Sequence, residues 1–181
     1  FDFATDRTAA DNLNKAARHI LQGGVRWMAW QERPWRVLWL GLNGGDLVSL
    51  TWEAAEGVWA FGRHPLGGRV RCGTVKATDA QTSEELWLCV ERSHGGVTRY
   101  NIELLCEPFG LNAGPDVPPA LEDAWHLYAA VRYQGAATSV ITGLEHLEGQ
   151  SVYAWTALGS MGPYTVTAGR VTLEAEVTSA I

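Results

Sequence analysis

Two pairs of carboxylates are the first places to look for chemistry. Glu122-Asp123 stands beside a proline-rich stretch, and Glu53 and Glu56 flank a turn between apolar runs. Hydrolysis by paired carboxylates needs two groups facing one cleft with their pKa values pushed apart. Neighbours in a solvated loop or at a hairpin end lack that environment, so both pairs read as surface charge. A serine nucleophile would need a G-x-S-x-G elbow, and the chain contains none. The histidines His19, His64, His94, His126 and His146 lack the H-x-H or H-x-x-x-H spacing that sets two imidazoles on one metal. Gly44-Gly45, Gly67-Gly68 and Gly95-Gly96 lie between strand-like runs without the lysine of a phosphate loop, so they read as turns. Cys72, Cys89 and Cys106 are odd in number and form no C-x-x-C pair, against a disulfide framework or a zinc site. They are expected to be reduced, with Cys72 and Cys89 acting as small hydrophobes in apolar strands. The expectation is a non-enzyme with no catalytic, cofactor-binding or metal-binding residues.

Aromatic side chains are the remaining functional signal. The chain has nine Trp, and seven of them fall between Trp27 and Trp87, a density that suits packed β-structure and contact surfaces. Trp27, Trp30, Trp52 and Trp59 are the candidate interface aromatics. Trp27 and Trp30 are an odd number of residues apart, so a regular strand sends them to opposite faces. With 46% apolar and 19% charged residues the chain can bury a core. A net charge of −6 without a Lys/Arg block excludes a sequence-specific nucleic-acid groove, which needs clustered cations. There is no apolar run long enough for membrane insertion.

The elements that must position these residues are mostly short strands. Thr8–Gln22 has helical spacing at Leu13, Ala16, Ala17, Ile20 and Leu21, and Gly23-Gly24 ends it; this helix is expected to pack on a sheet edge. Strands are expected at Val25–Glu32, Arg36–Leu42, Asp46–Glu53, Gly57–Arg63, Arg69–Ala77, Glu85–Glu91 and Val97–Leu105. Leu38-Trp39-Leu40 recurs as Leu86-Trp87-Leu88, an offset of 48 residues (38 to 86) that suits a four-stranded propeller blade. Residues 1–107 therefore read as a helix plus a propeller-blade-like region. Prolines at 108, 115, 118 and 119 make 108–124 a linker. Residues 125–181 read as a small β-barrel or sandwich, with strands at Trp125–Tyr133, Ser139–Thr142, Gln150–Leu158, Tyr164–Ala168 and Arg170–Val177. The fold class expected is all-β. The abrupt start at Phe1 without Met suggests a fragment of a longer chain.

Several segments together carry a family resemblance. Gly24-Val25-Arg26-Trp27-Met28-Ala29-Trp30-Gln31-Glu32-Arg33-Pro34-Trp35 is one, and Gly45-Asp46-Leu47-Val48-Ser49-Leu50-Thr51-Trp52-Glu53 leading to Val58-Trp59-Ala60-Phe61-Gly62-Arg63-His64 is another. Glu84-Glu85-Leu86-Trp87-Leu88-Cys89-Val90-Glu91-Arg92 and Gly143-Leu144-Glu145-His146-Leu147-Glu148-Gly149 follow in order. The chain resembles structural tail proteins of tailed bacteriophages and prophages, of the tubular or nozzle type. Gly44-Gly45-Asp46 and Trp52 depart from the usual pattern, and residues 73–81 do not share it. The resemblance implies a propeller-like region, a homo-oligomeric ring around the DNA path, contacts with other tail proteins, and no active site. It places the protein in the virion tail, assembled in the bacterial host cytoplasm. The alternative from the Trp content is a carbohydrate- or receptor-binding β-module, and a polysaccharide hydrolase fragment is a third reading.

Overall fold

A computed structural model describes residues 15, 17–78, 83–105 and 128–181. The linker at 108–124 lies outside the described residues, as do Cys106, Glu122-Asp123, Trp125 and His126. The described residues form three antiparallel sheets, so the protein is all-β. Sheet 1 is a meander of β1 (Val25–Gln31), β2 (Val37–Leu42), β3 (Leu47–Glu53) and β4 (Val58–His64), paired in that order. Sheet 2 is a second meander, β5 (Arg69–Ala77), β6 (Glu84–His94) and β7 (Val97–Leu105). Sheet 3 contains β8 (Tyr133–Thr142), β9 (Ser151–Thr156), β10 (Gly159–Thr165) and β11 (Arg170–Ala180), in the order β10-β9-β11-β8.

Sheets 1 and 2 pack face to face. Val37, Trp39 and Leu47 from sheet 1 meet Val70, Leu86, Leu88 and Val90 from sheet 2, and all seven are buried. The repeat explains the arrangement. A shift of 48 residues (38 to 86) carries β1 onto β5, β2 onto β6 and β3 onto β7; the counterpart of β4 falls outside the described residues. Trp39 points into the shared core, but in β6 it is Leu86 and Leu88 that do so, which leaves Trp87 on the far side. Equivalent faces therefore do not meet. The Trp39 face of one sheet packs on the Leu86/Leu88 face of the next, head to tail. The turn between β2 and β3 ties the sheets together as well: the carbonyl of Gly45, a residue at φ 98°, accepts a hydrogen bond at 2.7 Å from the Val70 amide. A Cβ on Gly45 would lie 2.8 Å from the Arg69 Cβ, so both conformation and space require glycine there.

Four expected elements differ. The described part of the Thr8–Gln22 segment is a run of turns, with Ile20 and Leu21 amides bonded to the Ala17 and Arg18 carbonyls three residues back. Residues 8–14 and 16 lie outside the description. Ile20 and Leu21 pack on the face of sheet 1, against the Leu40, Leu42, Val48 and Leu50 cluster, and not on a sheet edge. The described part of the strand expected at Trp125–Tyr133, residues 128–132, is not extended, and Ala129 has φ 59°; the strand expected at Ser139–Thr142 instead starts at Tyr133. The hairpin partner of β9 begins at Gly159, earlier than the expected Tyr164. Gly162-Pro163 hides it in the sequence, and the ladder is irregular between Met161 and Tyr164. Sheet 3 closes on its own core of Ile141, Leu144, Val166, Val171, Leu173 and Val177.

Candidate functional site: the outer aromatic face of sheet 1

Strand alternation divides the four candidate tryptophans. Trp27 lies opposite Gly41 in the β1–β2 ladder, on the face turned to sheet 2, and packs against the shared core. Its indole fills the gap between sheets. A Cβ on Gly41 would fall 2.0 Å from Trp27 Nε1, and one on Gly73 of β5 would fall 2.5 Å from its Cη2. The Nε1 is buried without a hydrogen-bond partner, so what holds the ring there is packing. Trp27 is therefore removed from the interface set.

Trp30, Trp52 and Trp59 belong to the other face, and all three are exposed, at 41%, 41% and 49%. Trp52 on β3 and Trp59 on β4 are directly opposite partners, so their rings are cross-strand neighbours. Trp30 pairs with Leu38, Leu38 with Leu50, and Leu50 with Phe61, which makes the next row across the sheet. Met28 and Trp35 are exposed too. A charged chain runs along this region: Trp30 Nε1 donates to Glu32 at 2.8 Å, Arg36 pairs with Glu32 at 3.1 Å, and Arg36 reaches Glu53 at 3.6 Å. The Trp30 indole N–H, followed by the Arg36 guanidinium, holds the Glu32 carboxyl below the usual carboxylate range. One end of the face is covered by Ile20 and Leu21, and the tryptophans occupy the other.

Two further apolar faces were not anticipated. On sheet 2, Trp87 lies opposite Leu104 and Cys89 opposite Ile102, with Tyr100 beside Glu91, all facing away from sheet 1. Ile102 and Tyr100 are 71% and 64% exposed. On sheet 3, Tyr153 and Trp155 alternate outward along β9 between the more buried Val152 and Ala154. The parity of Val152-Tyr153-Ala154-Trp155 was the signal available for them in the sequence.

The residues considered for chemistry are spread apart. Glu53 is engaged by Arg36, and Glu56 ends a short 3-10 turn at Ala54–Glu56. The carbonyl of His19 accepts from Arg63. His64 bridges Ser49 Oγ at 2.9 Å and Tyr128 Oη at 2.7 Å and leans on Trp39, with ring centroids 5.1 Å apart. Burial pushes the His64 pKa down. The rings of His94 and His146, far apart in sequence, have centroids 6.3 Å apart, and His94 lines a cleft of about 420 Å³ with Arg99, Glu145 and Glu148. Glu148 is committed to the Ala168 and Gly169 amides, and His146 contacts the Ala129 carbonyl. Among the described residues no group of three or more His, Cys, Asp or Glu is placed to hold a metal ion. Nor is any described helix long and apolar enough to cross a membrane.

No protein-family model matches the chain, and no curated protein matches it.

Proposed function

We propose that this chain is a non-catalytic structural module of a bacteriophage or prophage tail, assembling with copies of itself and with neighbouring tail proteins around the DNA path. The observation that carries the reading is the exposed Trp30–Trp52–Trp59 face of sheet 1, opposite the face already used to stack on sheet 2. Solvated aromatic rows of this kind are the usual anchors of protein interfaces. The outer face of sheet 2 repeats the pattern, so the two-sheet stack presents apolar surface at both ends. The family resemblance of the segments from Gly24 onward supplies the tail context and the virion location. The net charge of −6 suits a wall that DNA passes without sticking. Negative-stain microscopy of the full-length protein tests this: rings are the expected particles, and isolated globular particles count against it.

A second reading rests on the same tryptophans. The cross-strand Trp52–Trp59 pair also has the form of a platform on which sugar rings stack, as in a carbohydrate-binding module. Saturable binding to a purified glycan, lost on Trp52→Ala, would favour that reading over assembly.

A further inference from the structure

Cys72 and Cys89 are 17 residues apart in sequence (72 to 89), and nothing in that spacing pairs them. The β5–β6 ladder does. Cys72 is the direct partner of Cys89, immediately after an irregularity between Val70 and Cys72 that leaves Arg71 as an extra residue. Both cysteines are free thiols. Cys89 lies opposite Ile102 on the outer face of sheet 2, the face that Trp87 and Leu104 share. Cys72 belongs to the edge strand β5 and is exposed, whereas Cys89 is partly covered. The expectation that Cys72 packs as an interior hydrophobe is thereby corrected: the bulge and the outward parity bring it to solvent.

We propose that Cys72 and Cys89 form a cross-strand dithiol that closes to a disulfide on reaction with small-molecule disulfides of the glutathione class. Directly opposed residues of an antiparallel pair hold their Cβ atoms about 4.5–5.5 Å apart, and a disulfide takes about 3.5–4.5 Å. Closing the gap asks for a shift of roughly 1 Å. The ladder is already irregular at this point, and among the described residues β5 is the edge strand of its sheet, so the backbone can give. The two thiols differ in role. Burial, and then the neighbouring Cys72, push the Cys89 thiol above its ordinary pKa, so the exposed Cys72 is the first to attack. Its thiolate displaces one thiolate from the small disulfide and forms a mixed disulfide, and the departing thiolate takes up the proton that Cys72 lost. Cys89 then gives up its proton and attacks the Cys72 sulfur. The second small thiolate leaves and is protonated. Two protein thiols are oxidised and one small disulfide is reduced to two thiols. The product fastens β5 to β6 across the outer face of sheet 2.

The test uses the full chain, folded and dilute, treated with oxidised glutathione, alkylated and digested for peptide mass spectrometry. The expected product in the wild type is a Cys72–Cys89 linked peptide pair, a mass lower by two hydrogens, with no glutathione retained on either residue. Cys89→Ser is expected to stop at a persistent glutathione adduct on Cys72. Cys72→Ser is expected to slow uptake at this pair about tenfold or more, since the accessible attacking thiol is gone. A wild type that accumulates glutathionylated Cys72 without closing would overturn the proposal. So would linkage running through Cys106, or a Cys72–Cys89 bond that forms only after denaturation.

Discussion

Trp27 is held by what its neighbours lack. Gly41 and Gly73 leave the space its indole fills between two sheets, and a methyl group at either position collides with the ring. Gly41→Ala and Gly73→Ala are each expected to destabilise the fold by about 1–3 kcal/mol, the usual cost of overpacking a filled core, and urea unfolding would read the loss. Alternation already separated Trp27 from Trp30 in the sequence. Which of the two faced inward depended on the position of sheet 2, and no local pattern encodes that. His64 carries a pH-dependent contribution. Burial lowers its folded pKa below the ordinary 6.5, so its stabilising effect is complete above that value. It is lost as the pH falls from about 6.5 through the lower folded pKa, where the unfolded state binds the proton first. Thermal unfolding between pH 7.5 and about 5 is expected to show the midpoint falling, and His64→Gln, which cannot titrate, is expected to flatten that part of the curve.

The strands themselves were legible, because alternating apolar residues bounded by glycine turns report directly on local structure. All seven strands expected between Val25 and Leu105 are present, with ends moved by up to three residues. Pairings across the sequence were not legible. The Cys72–Cys89 opposition depends on a one-residue irregularity in β5, and the approach of His94 to His146 depends on how sheet 3 sits against β6. The repeat was visible as Leu-Trp-Leu, but its meaning, a head-to-tail stack with Trp87 left facing out, needed the packing. At this scale the outer tryptophans are separable from the fold. Trp52→Ser and Trp59→Ser are each expected to change unfolding free energy by no more than about 1 kcal/mol, the range of one cross-strand pair, because neither ring belongs to a buried core cluster. A far larger loss in chemical unfolding would make them part of the core and remove them from the interface.

The described residues form a two-sheet stack that exposes apolar side chains on both outer faces, and a third sheet that has a core of its own. Composition foretold a β-rich core, since the high share of apolar and aromatic residues follows from residue counts. The exposed surface was foretold only in part: Trp30, Trp52 and Trp59 were singled out, whereas Ile102, Tyr153 and Trp155 were not, because exposure belongs to the tertiary arrangement and these residues are as apolar as core ones. If the faces are used for assembly, truncating their aromatics should weaken association about tenfold or more, the effect of losing one hot-spot side chain. Sedimentation velocity of the full chain over a wide concentration range, beside a Trp30→Ser, Trp52→Ser, Trp59→Ser variant of matched stability, puts that to the most direct test. The wild-type sedimentation coefficient is expected to climb with concentration, and the variant is expected to stay monomeric over the same range. A wild type that remains a strict monomer at the highest concentration, or a variant that associates as tightly as the wild type, would contradict it.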